Sequence, residues 1–281
     1  PFDSTDFPWG GKVSIYRYIV ATDLVEELTE IHGLGPGEAF GAGLGTLDHD
    51  GDGYMELAIG AVGANSLAGE VHLFKGTWDI SIPAEPEFVV ETLHILGGED
   101  SGNLFGYSIQ SAGDVFGNDG RHELLVGAPY ADLTPNGSSP LEGAIALLKN
   151  NNSSYTRVLS LTSGVPGSLF GWDMDGGYDL NSDGWNDFAI GAPGAGNGSV
   201  YVHNGLTGAV MHELVGDTLG GQFGYSVAIL EDVNADGNAD LVVGAPFGDL
   251  GFGHAEVIDL NATGGPAPLL SVTGPAARSR F

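Results

Sequence analysis

From Gly69 the chain reads GEVHLFKG, with apolar Val71 and Leu73 separated by polar positions. A two-residue period places one set of side chains on one face of a strand. The figure returns as GAIALLKN from Gly143, GSVYVHNG from Gly198 and GHAEVIDL from Gly253. Before each copy stands a compact apolar run closing in IGAVG, VGAPY, IGAPG or VGAPF, and an acidic turn precedes each run. A Phe-Gly pair opens every unit, at Phe40, Phe105, Phe170 and Phe223, at spacings of 65, 65 and 53 residues. A fourth apolar stretch, such as AVMHELVG from Ala209, completes the unit. Four short strands in a unit of this size make a propeller blade. Such a blade cannot bury both faces alone, so its neighbours must stack on it.

The predicted fold is therefore all-β, a β-propeller of four-stranded blades. The opening PFDSTDFPWGGKVSIYRY aligns with PFGDLGFGHAEVIDL from Pro246, which places two outer strands of a preceding blade in residues 1–39. Whole blades are expected over 40–104, 105–169, 170–222 and 223–280, all in one propeller domain. That makes eighteen strands, or about four and a half blades.

Phe-Gly, acidic turn and Gly-Ala-Pro in this fixed order resemble the FG-GAP repeat of the integrin alpha-subunit propeller. The resemblance covers essentially the whole chain. It implies a seven-bladed ring, closed by residues beyond these ends or by another chain, in which the acidic turn links the first and second strands of a blade.

The acidic turns pose a coordination problem. LDHDGDGYME places Asp48, Asp50 and Asp52 at loop positions 1, 3 and 5, with Gly53 at position 6. Hard oxygen donors so spaced suit calcium, which takes six to eight oxygens at about 2.3–2.6 Å. An EF-hand needs Glu at position 12, and Ile59, Ile190 and Val243 stand there instead. The missing carboxylate comes at position 9, as Glu56, Asp187 and Asp240, which is the FG-GAP pattern. That resemblance also implies a ligand from the main-chain carbonyl of position 7, Tyr54, Trp185 or Asn238. The third unit supplies Asp179, Asn181 and Asp183, and the fourth Asp232, Asn234 and Asp236. Three calcium sites are expected, in loops that like-charge repulsion would strain without an ion. In the second unit one residue too many separates Asp114 from Gly120, so aligning on the glycine leaves Val115 and Gly117 at positions 1 and 3. No site of standard geometry is expected there.

Charge and composition narrow the function. Eight basic residues face 37 acidic ones, a net charge of −29, which excludes nucleic-acid phosphate as a partner and draws cations. Cysteine is absent, and no apolar run reaches the roughly 18 residues of a membrane span, so no membrane insertion is expected of this segment. No catalytic motif appears: HELLV and HELVG lack the second His of a zinc protease, and no nucleophile elbow or phosphate-binding loop occurs. The Phe of each Phe-Gly reads as packing between blades. Tyr107, Trp172 and Tyr225, two positions on, admit either packing or carbohydrate stacking.

Asn136, Asn151, Asn152, Asn197 and Asn261 open Asn-x-Ser/Thr sequons, which in a secreted eukaryotic protein are glycan sites. Loops between second and third strands vary most in length, and the longest holds Asp132 and Leu133 as candidate partner contacts. The expected function is a non-enzymatic, calcium-stabilised adhesion or structural module, extracellular or at the cell surface. It would bind a protein or glycan ligand on the face opposite the calcium loops. The alternatives are the non-catalytic propeller of a larger secreted enzyme, or an integrin-like lectin.

Overall fold

A computed structural model describes residues 9–20, 22–79, 87–132 and 141–275. Strands β1 (Lys12–Ile19) and β2 (Leu24–His32) form an antiparallel pair. Four four-stranded antiparallel sheets follow. Blade one comprises β3 (Phe40–Leu47), β4 (Glu56–Ala61), β5 (Glu70–Asp79) and β6 (Glu87–Gly97). Blade two comprises β7 (Ile109–Gly113), β8 (Glu123–Ala128), β9 (Ala144–Asn150) and β10 (Tyr155–Leu161). In blade three are β11 (Met174–Tyr178), β12 (Asp187–Ala192), β13 (Ser199–His203) and β14 (Val210–Val215). Blade four holds β15 (Ser226–Leu230), β16 (Asp240–Ala245), β17 (His254–Asp259) and β18 (Ala267–Thr273). Among the described residues, eighteen strands in meandering sheets make the β-propeller architecture that the repeat predicts.

The first strands β3, β7, β11 and β15 lie side by side in chain order. Second strands are shielded on both faces: every residue of β8 and β12 is buried. Burial falls away toward the fourth strands: β10, β14 and β18 have only half-buried and exposed positions. The core is therefore a series of layers between consecutive blades. Val71 and Leu73 of β5 pack with Phe105, Leu124 and Val126 of blade two. Leu125, Ile145 and Leu147 turn the other way, onto Phe170, Phe188 and Ile190 of blade three. Val200 and Val202 meet Phe223, Leu241 and Val243 of blade four. Phe105, Phe170 and Phe223 are buried, each in one of these layers, and Phe40 is buried with Ile59 and Phe74 against Val13 and Ile31 of the first strand pair.

A main-chain clasp joins each blade to the next. Phe105 N–H donates to Ala68 O at 3.1 Å, Phe170 to Glu142 O at 3.1 Å, and Phe223 to Asn197 O at 3.0 Å. The glycine that follows each acceptor, Gly69, Gly143 or Gly198, has φ between +80° and +84°. A Cβ on Gly198 would sit 2.3 Å from Phe223 O. Only glycine allows both the backbone angle and the approach. The sequence signal at the head of the first three of these third strands is thus a joint between blades.

The loops between second and third strands leave at the opposite end of the sheet from the acidic loops. In blades one and four they contain left-handed turns, with φ of 51°, 60° and 69° at Asn65, Ser66 and Leu67, and of 48° and 59° at Asp249 and Leu250. Among the described residues no helix is long and apolar enough to cross a membrane.

Candidate metal centres

The three acidic loops join β3 to β4, β11 to β12 and β15 to β16, and they share one hydrogen-bond plan. The position 1 carboxylate accepts the amides of positions 5 and 6: Asp48 from Asp52 and Gly53 at 3.1 and 2.8 Å, Asp179 from Asp183 and Gly184 at 3.1 and 2.8 Å, Asp232 from Asp236 and Gly237 at 3.1 and 2.7 Å. Position 3 accepts the amide of position 5, through Asp50 at 3.2 Å, Asn181 at 2.8 Å and Asn234 at 2.9 Å. Position 5 accepts the amide of position 7, from Tyr54, Trp185 and Asn238, at 2.8 to 2.9 Å. These bonds fold the loop on itself and hold the side-chain oxygens close together. Position 6 needs glycine because φ there is 83°, 89° and 92°.

Position 9 starts the second strand and closes the loop from below. Glu56, Asp187 and Asp240 are buried, and one oxygen of each takes the amide of position 2, from His49, Leu180 and Val233, at 2.8 to 3.0 Å. Burial raises all three pKa values, that of Asp187 to about 6. The other oxygen of Asp240 is buried with no hydrogen-bond partner. A buried, unpaired carboxylate oxygen is costly unless something positive meets it. A hard cation fits this donor set, which is all oxygen and supplied by carboxylates, amides and main chain. In the first loop, oxygens of Asp48, Asp50 and Glu56 lie within 4.8 Å of one another.

Two features were not read from the spacing. Lys75, near the middle of β5, reaches into the first loop: its Nζ donates to Asp50, lies 2.8 Å from Asp52 and 3.4 Å from Glu56. The expected charge strain in that loop is therefore relieved from within the chain. The carboxamides that end or follow the third strands also buttress the loops. Asn150 donates to His49 O at 2.7 Å and His122 O at 3.3 Å, tying the first two loops together. Asn204 donates to Asp183 at 2.6 Å, and Asn261 to Leu180 O at 3.2 Å.

The second loop corrects the alignment on Gly120. Asp114, not Val115, does the work of position 1: it accepts the amides of Asn118 at 3.1 Å and Gly120 at 2.7 Å. Glu123 does that of position 9, accepting from Val115 at 2.6 Å and Phe116 at 3.0 Å. The extra residue is absorbed between them. Arg121 Nη1 meets Asp119 at 3.0 Å, so a guanidinium lies on the position 5 carboxylate.

Elsewhere, Asn151, Asn152 and Asn261 are exposed, while Asn197 is half-buried with its side-chain nitrogen donating to Gly216 O. Asn136 and Leu133 lie outside the described residues, and Asp132 is half-buried at their margin. Tyr107, Trp172 and Tyr225 pack on one another, with ring centroids 4.9 and 5.3 Å apart. The row is tilted, not stacked, and Tyr225 at its end is exposed, so ring-on-ring packing accounts for Tyr107 and Trp172 more fully than for Tyr225.

The FG-GAP repeat family matches residues 170–203 and 223–260. Integrin alpha-7 of Mus musculus is 35% identical over 68% of this chain and 16% of its own length. Integrin alpha-5 of Xenopus laevis is 31% identical over 73% of the chain and 20% of its own length. Integrin alpha-PS5 of Drosophila melanogaster is 32% identical over 56% of the chain and 16% of its own length. The aligned stretch thus spans a fifth or less of these relatives. With its recurring Phe-Gly, acidic loop and Gly-Ala strand set on four-stranded blades, the chain is an FG-GAP repeat β-propeller similar to integrin alpha subunits.

Proposed function

We propose that this chain is part of an extracellular or cell-surface propeller that calcium stabilises and that serves adhesion. It is a non-catalytic module, binding a protein or glycan ligand on the face opposite the acidic loops. The observation that carries the reading is the oxygen plan repeated in three loops, with the orphaned Asp240 oxygen at its base. Extracellular calcium is millimolar, the range in which such modules bind. The opposite face carries the loops of greatest length variation, and its left-handed turns hold Leu67 and Leu250 exposed. Likeness to integrin alpha subunits supports the adhesion role.

A crystal structure in saturating calcium tests the metal. Density about 2.4 Å from the oxygens of Asp179, Asp183, Asp232 and Asp236 is expected, and empty loops overturn the reading. In the same protein, shortening residues 131–141 to a tight turn should weaken ligand capture. Replacing Asp50 and Asp52 with Ala should leave capture intact. The reverse result places the ligand on the metal face.

A further inference from the structure

We propose that one cross-strand residue in each blade sets how tightly the acidic loop holds a cation, and that Lys75 acts as a tethered cation in the first loop. The inference rests on the calcium reading above and adds to it the residues that grade the sites.

The antiparallel register between second and third strands runs Leu57 to Phe74, Leu124 to Leu148, Phe188 to His203 and Leu241 to Ile258. One step further along each ladder, the position 9 carboxylate faces Lys75, Lys149, Asn204 or Asp259. Directly opposed side chains in an antiparallel pair lie close enough to interact. Across the blades that place is filled by two cations, a neutral amide and an acid, each six residues beyond the joint glycine.

Contacts at the four places differ accordingly. Lys75 Nζ touches three carboxylates that calcium would need, those of Asp50, Asp52 and Glu56. Its side chain is only a quarter exposed, and its ammonium contacts two of the three carboxylates, Asp50 and Glu56, whose oxygens cluster in this loop. Lys149 instead lies 5.9 Å over the Phe116 ring, beside the loop whose Asp119 is paired to Arg121. In blade three Asn204 offers Asp183 a hydrogen bond and no charge. In blade four Asp259 is buried and adds its field to that of Asp240, whose second oxygen has no partner. No Lys or Arg occurs between Arg157 and Arg278, so blades three and four have neither residue to neutralise their loops.

Counting loop carboxylates alone makes the first loop the strongest site, with four against three. Including the facing residue reverses the order. The fourth loop becomes the tightest, the third intermediate, and the first the weakest, because calcium there must displace an ammonium already bound. Affinity in oxygen-donor sites follows ligand charge and rigidity, and Lys75 changes the charge without altering any ligand.

The test is calorimetric titration of the 281-residue chain with calcium. The wild type is compared with Lys75→Met, Lys75→Gln, Asp259→Asn and Lys75→Met combined with Asp50→Asn. Removing the ammonium should tighten the weakest site by about tenfold or more. Adding Asp50→Asn should abolish that gain, which assigns it to the first loop. Asp259→Asn should weaken the tightest site by a similar factor. Two neutral replacements guard against one of them folding poorly. Calcium uptake at the third and fourth loops, with the weakest site unchanged in both Lys75 variants, overturns the role given to Lys75. No uptake at any loop in any variant overturns the calcium reading itself.

Discussion

Burial raises the Asp187 carboxyl from its ordinary value up to about 6, although Leu180 and Gly205 donate to it at 3.0 Å each. The unfolded chain releases that proton near pH 4. Between those values the folded state holds the proton and the unfolded state does not. In metal-free protein the resulting stabilisation is complete below about pH 4 and is lost as pH rises through 6, a change of about 3 kcal/mol at most from this residue. A bound cation favours the ionised form, so with calcium this loss should vanish over the same window, and any gain with rising pH lies below about pH 4, where the unfolded carboxyl titrates. Urea midpoints from pH 4 to 7, falling in chelator and level in calcium, check the difference, and Asp187→Asn should flatten the metal-free slope. Parallel curves in the two conditions would mean that no ion meets this carboxylate. The place of Asp187 and its counterparts in the acidic loops was legible in the sequence because a tight loop is fixed by local spacing. Lys75 was not, because its role depends on the register of a strand some twenty residues away. Asp114 was misplaced because counting back from Gly120 assumes a loop of constant length.

Glycines of two kinds punctuate the strands, and they should respond differently to a methyl group. At Gly184 φ is +89° and nothing lies within 4 Å of an added Cβ, so alanine incurs only the left-handed backbone cost, about 1–2 kcal/mol. At Gly198 the added Cβ would meet Phe223 O at 2.3 Å and its N at 2.4 Å, main-chain atoms that cannot swing aside. Gly198→Ala should cost about 3–5 kcal/mol, within the range of severe single substitutions. Denaturation of the two variants decides it, and equal losses would show that the joint between blades has slack. Strand number and order could be read from the repeat, since alternation and turn residues recur in each blade. The extended hairpin of β5 and β6, with ten and eleven residues, could not. Its reach is set by the adjoining pair, where the Arg17 guanidinium lies 4.9 Å over Trp78 and Trp78 meets Phe88 at 5.4 Å.

Charge is distributed unevenly over the whole molecule. Six of the eight basic residues lie at or before Arg157, and the blades beyond it carry fourteen acids with no Lys or Arg until Arg278. The net charge of −29 told of a cation-seeking surface, but not that one end supplies its own cations. The Lys75 contacts and the Arg121–Asp119 pair give this asymmetry a consequence in time. Blades one and two bring their counter-charge with them and can consolidate in an ion-poor medium. Blades three and four have no Lys or Arg to supply theirs, so an ion binding only the folded form would shift them toward it. Within this segment the blades that carry their own cations precede those that do not, and blade two presents to blade three the face on which Phe170 packs. On the calcium reading proposed above, the ion would act on the completion of blades three and four, not as a nucleus. Hydrogen exchange in chelator should leave amides of β7–β9 protected while those of β12, β13, β16 and β17 open. Uniform loss of protection across all four blades would show instead that the ring gives way as one unit.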